Sequence, residues 1–239
     1  VNRIDLVVLD IAGTTVEEHG LVYKALADTV IAAGGSAQDV GDWMGADKYE
    51  AISAMLGKSE VDAEFRDFHE RLAKYYAETP PTPIPGVPEA LAQLRSNGVK
   101  VALTTGFDRP VVDGLLDVLG WREGVLDAVV CVDDVRAGRP APYMIHRAME
   151  LTGVRDVRRV LTAGDTTRDL QAGTNAGAAF VVGVLSGSQT AEELGTVRHT
   201  HLLKSVAEIP SLVEGVAEIP SPVEGVAEIP SLVEGGGVA

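Results

Sequence analysis

Cysteine is almost absent from this chain, with Cys131 the only one in 239 residues. A lone thiol excludes an intramolecular disulfide and fits a reducing compartment, and Cys131, within an apolar strand-like run, is expected to be a small buried hydrophobe. Long apolar runs are missing as well. No stretch approaches the roughly twenty residues needed to span a bilayer, no signal peptide is expected, and the expected location is cytoplasmic. Basic residues are scarce, 20 Lys and Arg against 35 Asp and Glu, for a formal net charge of -15. That imbalance argues against nucleic acid and anionic membrane as partners. The remainder, 46% hydrophobic and 23% charged, is enough for one large core with a smaller appended module.

Two loops carry the chemistry. Asp10-Ile11-Ala12-Gly13-Thr14-Thr15 follows the apolar run Leu6-Val7-Val8-Leu9, and Gly164-Asp165-Thr166-Thr167-Arg168-Asp169 follows Val160-Leu161-Thr162-Ala163. Short apolar runs of this kind read as buried strands, and a parallel α/β sheet gathers all its strand C-termini on one edge. Asp10 and Asp165 therefore converge although they are far apart in sequence. A hard divalent cation takes carboxylate and carbonyl oxygens, and Mg²⁺ in phosphate enzymes keeps one or two protein carboxylates beside substrate oxygens and water. A carboxylate can also act as a nucleophile through an aspartyl-phosphate, and Asp10 is the candidate. Thr105, after the run Val101-Ala102-Leu103-Thr104 and before Gly106, offers its hydroxyl, with the neighbouring backbone N–H, to a phosphoryl oxygen. Arg139, in Gly138-Arg139-Pro140-Ala141-Pro142, offers a fixed positive charge.

Each element alone has an ordinary reading as a helix cap, a turn or a strand-end hydroxyl. Together and in this order they resemble the haloacid dehalogenase superfamily, whose loops carry an Asp nucleophile, a Thr or Ser, a Lys or Arg, and an acidic pair. The resemblance implies Asp10, Thr105 and Arg139 as catalytic residues, with Gly13, Thr14, Gly106 and Arg139 around the phosphoryl group. It also implies an Mg²⁺ site made by Asp10, Ala12, Asp165 and Asp169, in which Ala12 has only a main-chain carbonyl to give.

The expected fold is α/β, a Rossmann-like parallel-sheet core formed by residues 1–15 and 81–215 with a small helical cap inserted at 16–80. Val22, Leu26, Ala27 and Val30 recur at helical spacing, as do Ile52, Met55 and Leu56, then Phe65, Phe68 and Leu72. Thr79-Pro80-Pro81-Thr82-Pro83-Ile84-Pro85-Gly86 cannot continue a helix and reads as a stiff hinge strap back into the core. A decapeptide, Val-Ala-Glu-Ile-Pro-Ser-Leu-Val-Glu-Gly, occupies 206–215 and recurs at 216–225, with Pro222 for Leu, and at 226–235. The first copy is expected to complete the core, and residues 216–239 to be a disordered, repeat-expanded tail.

Ala12 is informative by what it lacks. Most phosphatases of the superfamily carry at that position an Asp that protonates the leaving alcohol, a contribution of about 10²–10⁴-fold. Asp-x-Ala-Gly-Thr-Thr, together with Met44-Gly45-Ala46-Asp47-Lys48, resembles instead the phosphonatase branch. That likeness implies a cap lysine, Lys48, that forms a Schiff base with an aldehyde and accepts the electrons released as a C–P bond breaks. A helix starting near Gly45 puts Lys48 on one face with Ile52 and Met55, where partial burial favours the neutral amine. The chain departs from that branch at Ala51 (a His there), Phe107 (a Tyr) and around Gly20 (a Cys), which reads as a sister group, with His19 a candidate substitute shuttle. The leading expectation is an Mg²⁺-dependent hydrolase of a small phosphonate or related organophosphorus metabolite. The alternatives are a small-molecule phosphate monoesterase without the usual acid, and a non-catalytic binding protein. A homodimer is left open.

Overall fold

The computed structural model describes residues 3–217. At its centre is β1 (Leu6–Asp10), buried along its whole length. Leu6 and Val8 join one hydrophobic cluster while Val7 and Leu9 join another, the two-residue alternation of a strand covered on both faces. Then come β2 (Val16–Glu17), three helices α1 (Leu21–Ala32), α2 (Lys48–Leu56) and α3 (Asp62–Glu78), and β3 (Thr82–Pro83). The rest alternates: α4 (Val87–Ser96), β4 (Lys100–Thr104), α5 (Arg109–Leu119), β5 (Ala128–Val130), α6 (Tyr143–Thr152), β6 (Val160–Gly164), α7 (Thr167–Ala176), β7 (Phe180–Val184), α8 (Ala191–Leu194), β8 (His201–Leu203) and α9 (Ile209–Ala217).

Six strands form one parallel sheet in the order β5-β4-β1-β6-β7-β8, the expected Rossmann-like α/β architecture. The chain moves outward from β1 through β4 and β5 on one side and through β6, β7 and β8 on the other. The order therefore reverses at β1, and an open α/β sheet has its ligand crevice at that point, beyond the strand C-termini. Asp10 lies level with Thr104 on β4, and Leu9 level with Ala163 on β6. Met144, Ile145 and Ala148 of α6 and Ala172 of α7 cover one face of the sheet. Leu91, Leu94, Val112, Leu115 and Ile209, from α4, α5 and α9, cover the other in a cluster that runs on into Leu26 of α1 and Phe68 and Leu72 of α3.

Local boundaries differ from expectation where side chains intervene. Helix α2 starts at Lys48 and not near Gly45, because the Asp47 carboxylate caps it, accepting from Tyr49 N at 2.7 Å and Glu50 N at 3.2 Å. The proline-rich strap contributes β3, which pairs antiparallel with β2 (Val16 with Pro83, Glu17 with Thr82), so the helical segment leaves and rejoins at neighbouring points. Cys131 falls just past the end of β5, since the Asp134 carboxylate takes its N–H at 2.8 Å and turns the chain. It is buried, and burial pushes its thiol up to about 12. The first decapeptide folds as a 3₁₀ turn (Val206–Glu208) followed by α9, which reaches two residues into the second copy. The rest of the expected tail lies outside the described residues. Among the described residues no helix is long and apolar enough to cross a membrane.

Candidate active site

Asp10 ends β1, Thr105 follows β4, Asp165 follows β6, and Arg139 comes from the connection between β5 and α6. The Arg139 guanidinium links the group. Its Nη2 lies 2.6 Å from Asp10 Oδ1 and its Nη1 lies 2.7 Å from Asp169 Oδ1, while Nη2 also donates to the Thr104 carbonyl at 2.7 Å. A planar fork with a permanent charge suits such a bridge, which a lysine could not make.

Asp165 is held from both sides. Thr14 Oγ1 donates to its Oδ1 at 3.1 Å, and Ser188 donates to its Oδ2 from N at 2.7 Å and from Oγ at 2.8 Å. Gly13, at φ +78, lies so close that a Cβ there would stand 2.6 Å from Asp165 Oδ2. Asp169, in the first turn of α7, closes a capping box, with Thr166 N and Oγ1 donating to its Oδ2 at 3.0 and 2.5 Å. It therefore fixes the start of α7 and the Arg139 head together.

Oxygens of Asp10, Asp165 and Asp169 lie within 4.8 Å of one another, and all three residues are buried. Burial, reinforced by Asp169 and Asp165 and opposed by Arg139, pushes the Asp10 carboxyl up to about 7. Burial and then Asp169 also raise Asp165. Three hard oxygen donors, crowded beyond what one guanidinium neutralises, are a donor set that fits a divalent cation such as Mg²⁺.

The segment Met44–Lys48 lies on this edge. Close approach is possible because Gly45 and Gly106 have no Cβ; one at Gly45 would lie 2.8 Å from Thr166 Oγ1, and one at Gly106 would lie 2.7 Å from the Ala46 carbonyl. Lys48 is consequently only 4% exposed, and its Nζ donates to the Ala46 carbonyl at 2.6 Å. The ammonium stands 5.5 Å from the Tyr23 ring centre and 5.9 Å from that of Phe107. Burial pulls it down to about 8, with Asp10 and Asp47 limiting the fall. Lys48, Asp10, Ala12, Tyr23, Thr105, Gly106, Phe107, Arg139 and Asp165 all line one cavity of about 20 Å³, the room of a water molecule and not of a substrate.

The family profile of haloacid dehalogenase-like hydrolases matches residues 4–177. The chain belongs to that family. It is 30% identical over 233 residues to the phosphonoacetaldehyde hydrolase of Bacillus cereus, covering 85% of this chain and 86% of that one. It is 32% identical over 188 residues to the phosphonoacetaldehyde hydrolase of Parabacteroides distasonis, covering 71% and 69%. The structure of a phosphonoacetaldehyde hydrolase-like protein from Oleispira antarctica shares the fold, with a TM-score of 0.73 at 19% identity over 90% of this chain and 93% of that chain. The protein is thus a phosphonatase-like hydrolase, and the reading as a non-catalytic binding protein is set aside.

Of the residues singled out from sequence, Gly13, Thr14 and Asp169 of this hydrolase stand behind the cavity as supports, with the Thr14 hydroxyl directed to Asp165. His19 is exposed, pairs with Glu17 at 3.8 Å and does not line the cavity. Three residues were not foreseen. Tyr23 Oη accepts from Gly45 N at 3.3 Å, its own proton has no acceptor among the described residues, and burial raises the phenol so that it stays protonated. Glu18 is buried at the start of α1, accepting from Gly20 N at 3.1 Å and Val22 N at 2.9 Å, and burial raises its carboxyl. Ser188 belongs to a Gly/Ser loop whose only sequence signal is its place after β7.

Proposed function

We propose that this hydrolase cleaves the C–P bond of a small aldehyde-bearing phosphonate, with Asp10 as nucleophile and Lys48 as the imine-forming amine. The observation that carries the reading is Lys48 itself, a buried lysine from the helical segment in one cavity with Asp10 and Arg139. In this reading residues 16–80 act as a cap over a core of 1–15 and 81–215, and the cap must lift to admit substrate.

The Lys48 amine adds to the aldehyde carbon, water leaves, and a protonated imine remains. Tyr23, protonated throughout, donates to the aldehyde oxygen. Asp10 attacks phosphorus, the C–P bond breaks, and its electron pair flows into the iminium, leaving an enamine on Lys48 and a phosphoryl group on Asp10. Protonation of the enamine carbon and hydrolysis of the imine release the aldehyde product and restore Lys48, and water cleaves the aspartyl-phosphate to orthophosphate. Arg139 holds Asp10 in line and neutralises phosphoryl oxygens, assisted by the Thr105 hydroxyl and the neighbouring Gly106 N–H, since the Thr105 N–H is spent on the Val130 carbonyl at 3.1 Å. Asp10, Asp165, Asp169 and the Ala12 carbonyl would hold Mg²⁺, which when bound supplies charge neutralisation and Lewis-acid polarisation of the phosphoryl group. No acid is needed at position 12, because no alkoxide leaves.

A second reading rests on the same lysine. With an ammonium near 8, Lys48 could protonate the alkoxide leaving from a phosphate monoester, replacing the missing acid. The pH profile separates the two. Imine formation needs Lys48 deprotonated, so kcat/KM for phosphonoacetaldehyde rises through about pH 8 and then levels. If Lys48 is the acid, the rate toward its substrate falls above about pH 8.

Ala12→Asp gives a further check. It leaves turnover of phosphonoacetaldehyde no faster and raises hydrolysis of a simple phosphate monoester about tenfold or more. Faster turnover of the aldehyde substrate in that variant favours the ester reading.

A further inference from the structure

The C-terminal decapeptide occurs three times, and the structure shows what one copy does. The copy at 226–235 repeats 206–215 residue for residue, whereas 216–225 has Pro222 where the others have Leu212 and Leu232. The first copy lies against α4. Val206 and Ile209 are fully buried and Val213 nearly so, in one cluster with Val87, Leu91 and Leu94. Ala207 meets Gly86, where an added Cβ would come within 2.9 Å of the Ala207 methyl. Glu214 Oε1 accepts from Gln93 Nε2 and Asn97 Nδ2, both at 3.0 Å.

We propose that this face of α4 is a docking site for the decapeptide as such, and that the third copy of the same chain takes it over when the first is displaced. Val226, Ala227, Ile229, Val233 and Glu234 supply again each side chain used in the contact. The second copy is the poorer occupant. Pro222 falls where Leu212 stands within α9, and proline there removes a helix N–H and crowds the carbonyl four residues before it.

Exchange leaves residues 206–225 as a loop, and the entropy of closing a loop grows only with the logarithm of its length. It also gives up Ser205, whose hydroxyl accepts from Ala207 N at 3.2 Å. Gly225 precedes the third copy, and glycine is tolerated at such a position. The first copy, with no loop to close and a better cap, holds the site in the unaltered chain, and the third is its reserve.

Melting of full-length variants tests this. Ile229→Asp alone leaves Tm within about 1 °C of the parent, and Ile209→Asp alone lowers it by only about 3 °C. The two together lower it by roughly 10 °C or more, far beyond their sum. An additive result overturns the proposal, including the case in which Ile209→Asp alone gives the full loss or fails to fold. Ile209→Asp with Ile219→Asp melts like Ile209→Asp alone. If that pair loses the rescue, the site belongs to the second copy, and if the Tm of Ile209→Asp climbs with protein concentration, it belongs to the tail of a second molecule. Either outcome overturns the assignment to the third copy within one chain.

Discussion

Asp10→Asn lowers phosphate release by roughly 10⁴-fold or more while the protein stays folded. Asparagine keeps the shape of the side chain and a weak acceptor for Arg139 but cannot form the acyl phosphate. Stability moves the other way. The Asp10 carboxyl titrates at about 7 in the folded protein against an ordinary 3.8, so between those values the folded form holds a proton that the unfolded form has released. Stability contributed by this group is therefore full below about 4 and lost as the pH rises through about 7. At pH 7.5 without divalent cation, Asp10→Asn melts no lower than the parent. Mg²⁺ raises the Tm of the parent, and raises that of the variant less, because a ligand that binds only the folded state stabilises in proportion to its affinity. Phosphate release within tenfold of the parent contradicts the assignment of Asp10.

Lys48→Met reduces turnover of phosphonoacetaldehyde by on the order of 10³-fold or more, since the C–P bond loses its electron acceptor. The phosphoryl half of the site survives, so transfer from a good leaving group such as acetyl phosphate falls far less. Because Lys48 titrates at about 8 in the folded state and 10.5 when exposed, it holds back stability below about 8 and releases that cost as the pH rises to about 10.5. Keeping the ammonium in the cavity costs on the order of 3 kcal/mol, and the Met variant should melt at or above the parent at pH 7. Unchanged turnover with phosphonoacetaldehyde makes Lys48 an ordinary buried lysine.

The sheet edge was legible in the sequence because it depends on a regularity. Strands of a parallel sheet end on one side, so Asp10, Thr105, Arg139 and Asp165 could be brought together from motif order alone. Lys48 was legible through the Met44-Gly45-Ala46-Asp47-Lys48 resemblance, its four-residue step to Ile52 being only compatible with burial, and its helix begins at Lys48 only because Asp47 caps it, a competition between side chain and backbone that spacing does not show. Tyr23 was hidden because it stands beside the apolar stripe of α1 and its partner, the Gly45 N–H, is distant in sequence. Ser188 was hidden for the same reason, its meaning being set by Asp165 across the strand ends. The β2–β3 pair is two residues wide and includes Pro83, too short for any periodicity. Glu18 carries no periodic signal, because it lies ahead of α1 and its role is to accept the Gly20 and Val22 N–H groups at that helix start.

Borohydride reduction in the presence of phosphonoacetaldehyde, followed by peptide mass analysis, tests the central claim most directly. The account predicts inactivation and a two-carbon adduct on Lys48, absent from Lys48→Met and absent without the aldehyde. Full activity after reduction, with no mass added at Lys48 while phosphate is still released from phosphonoacetaldehyde, would contradict it.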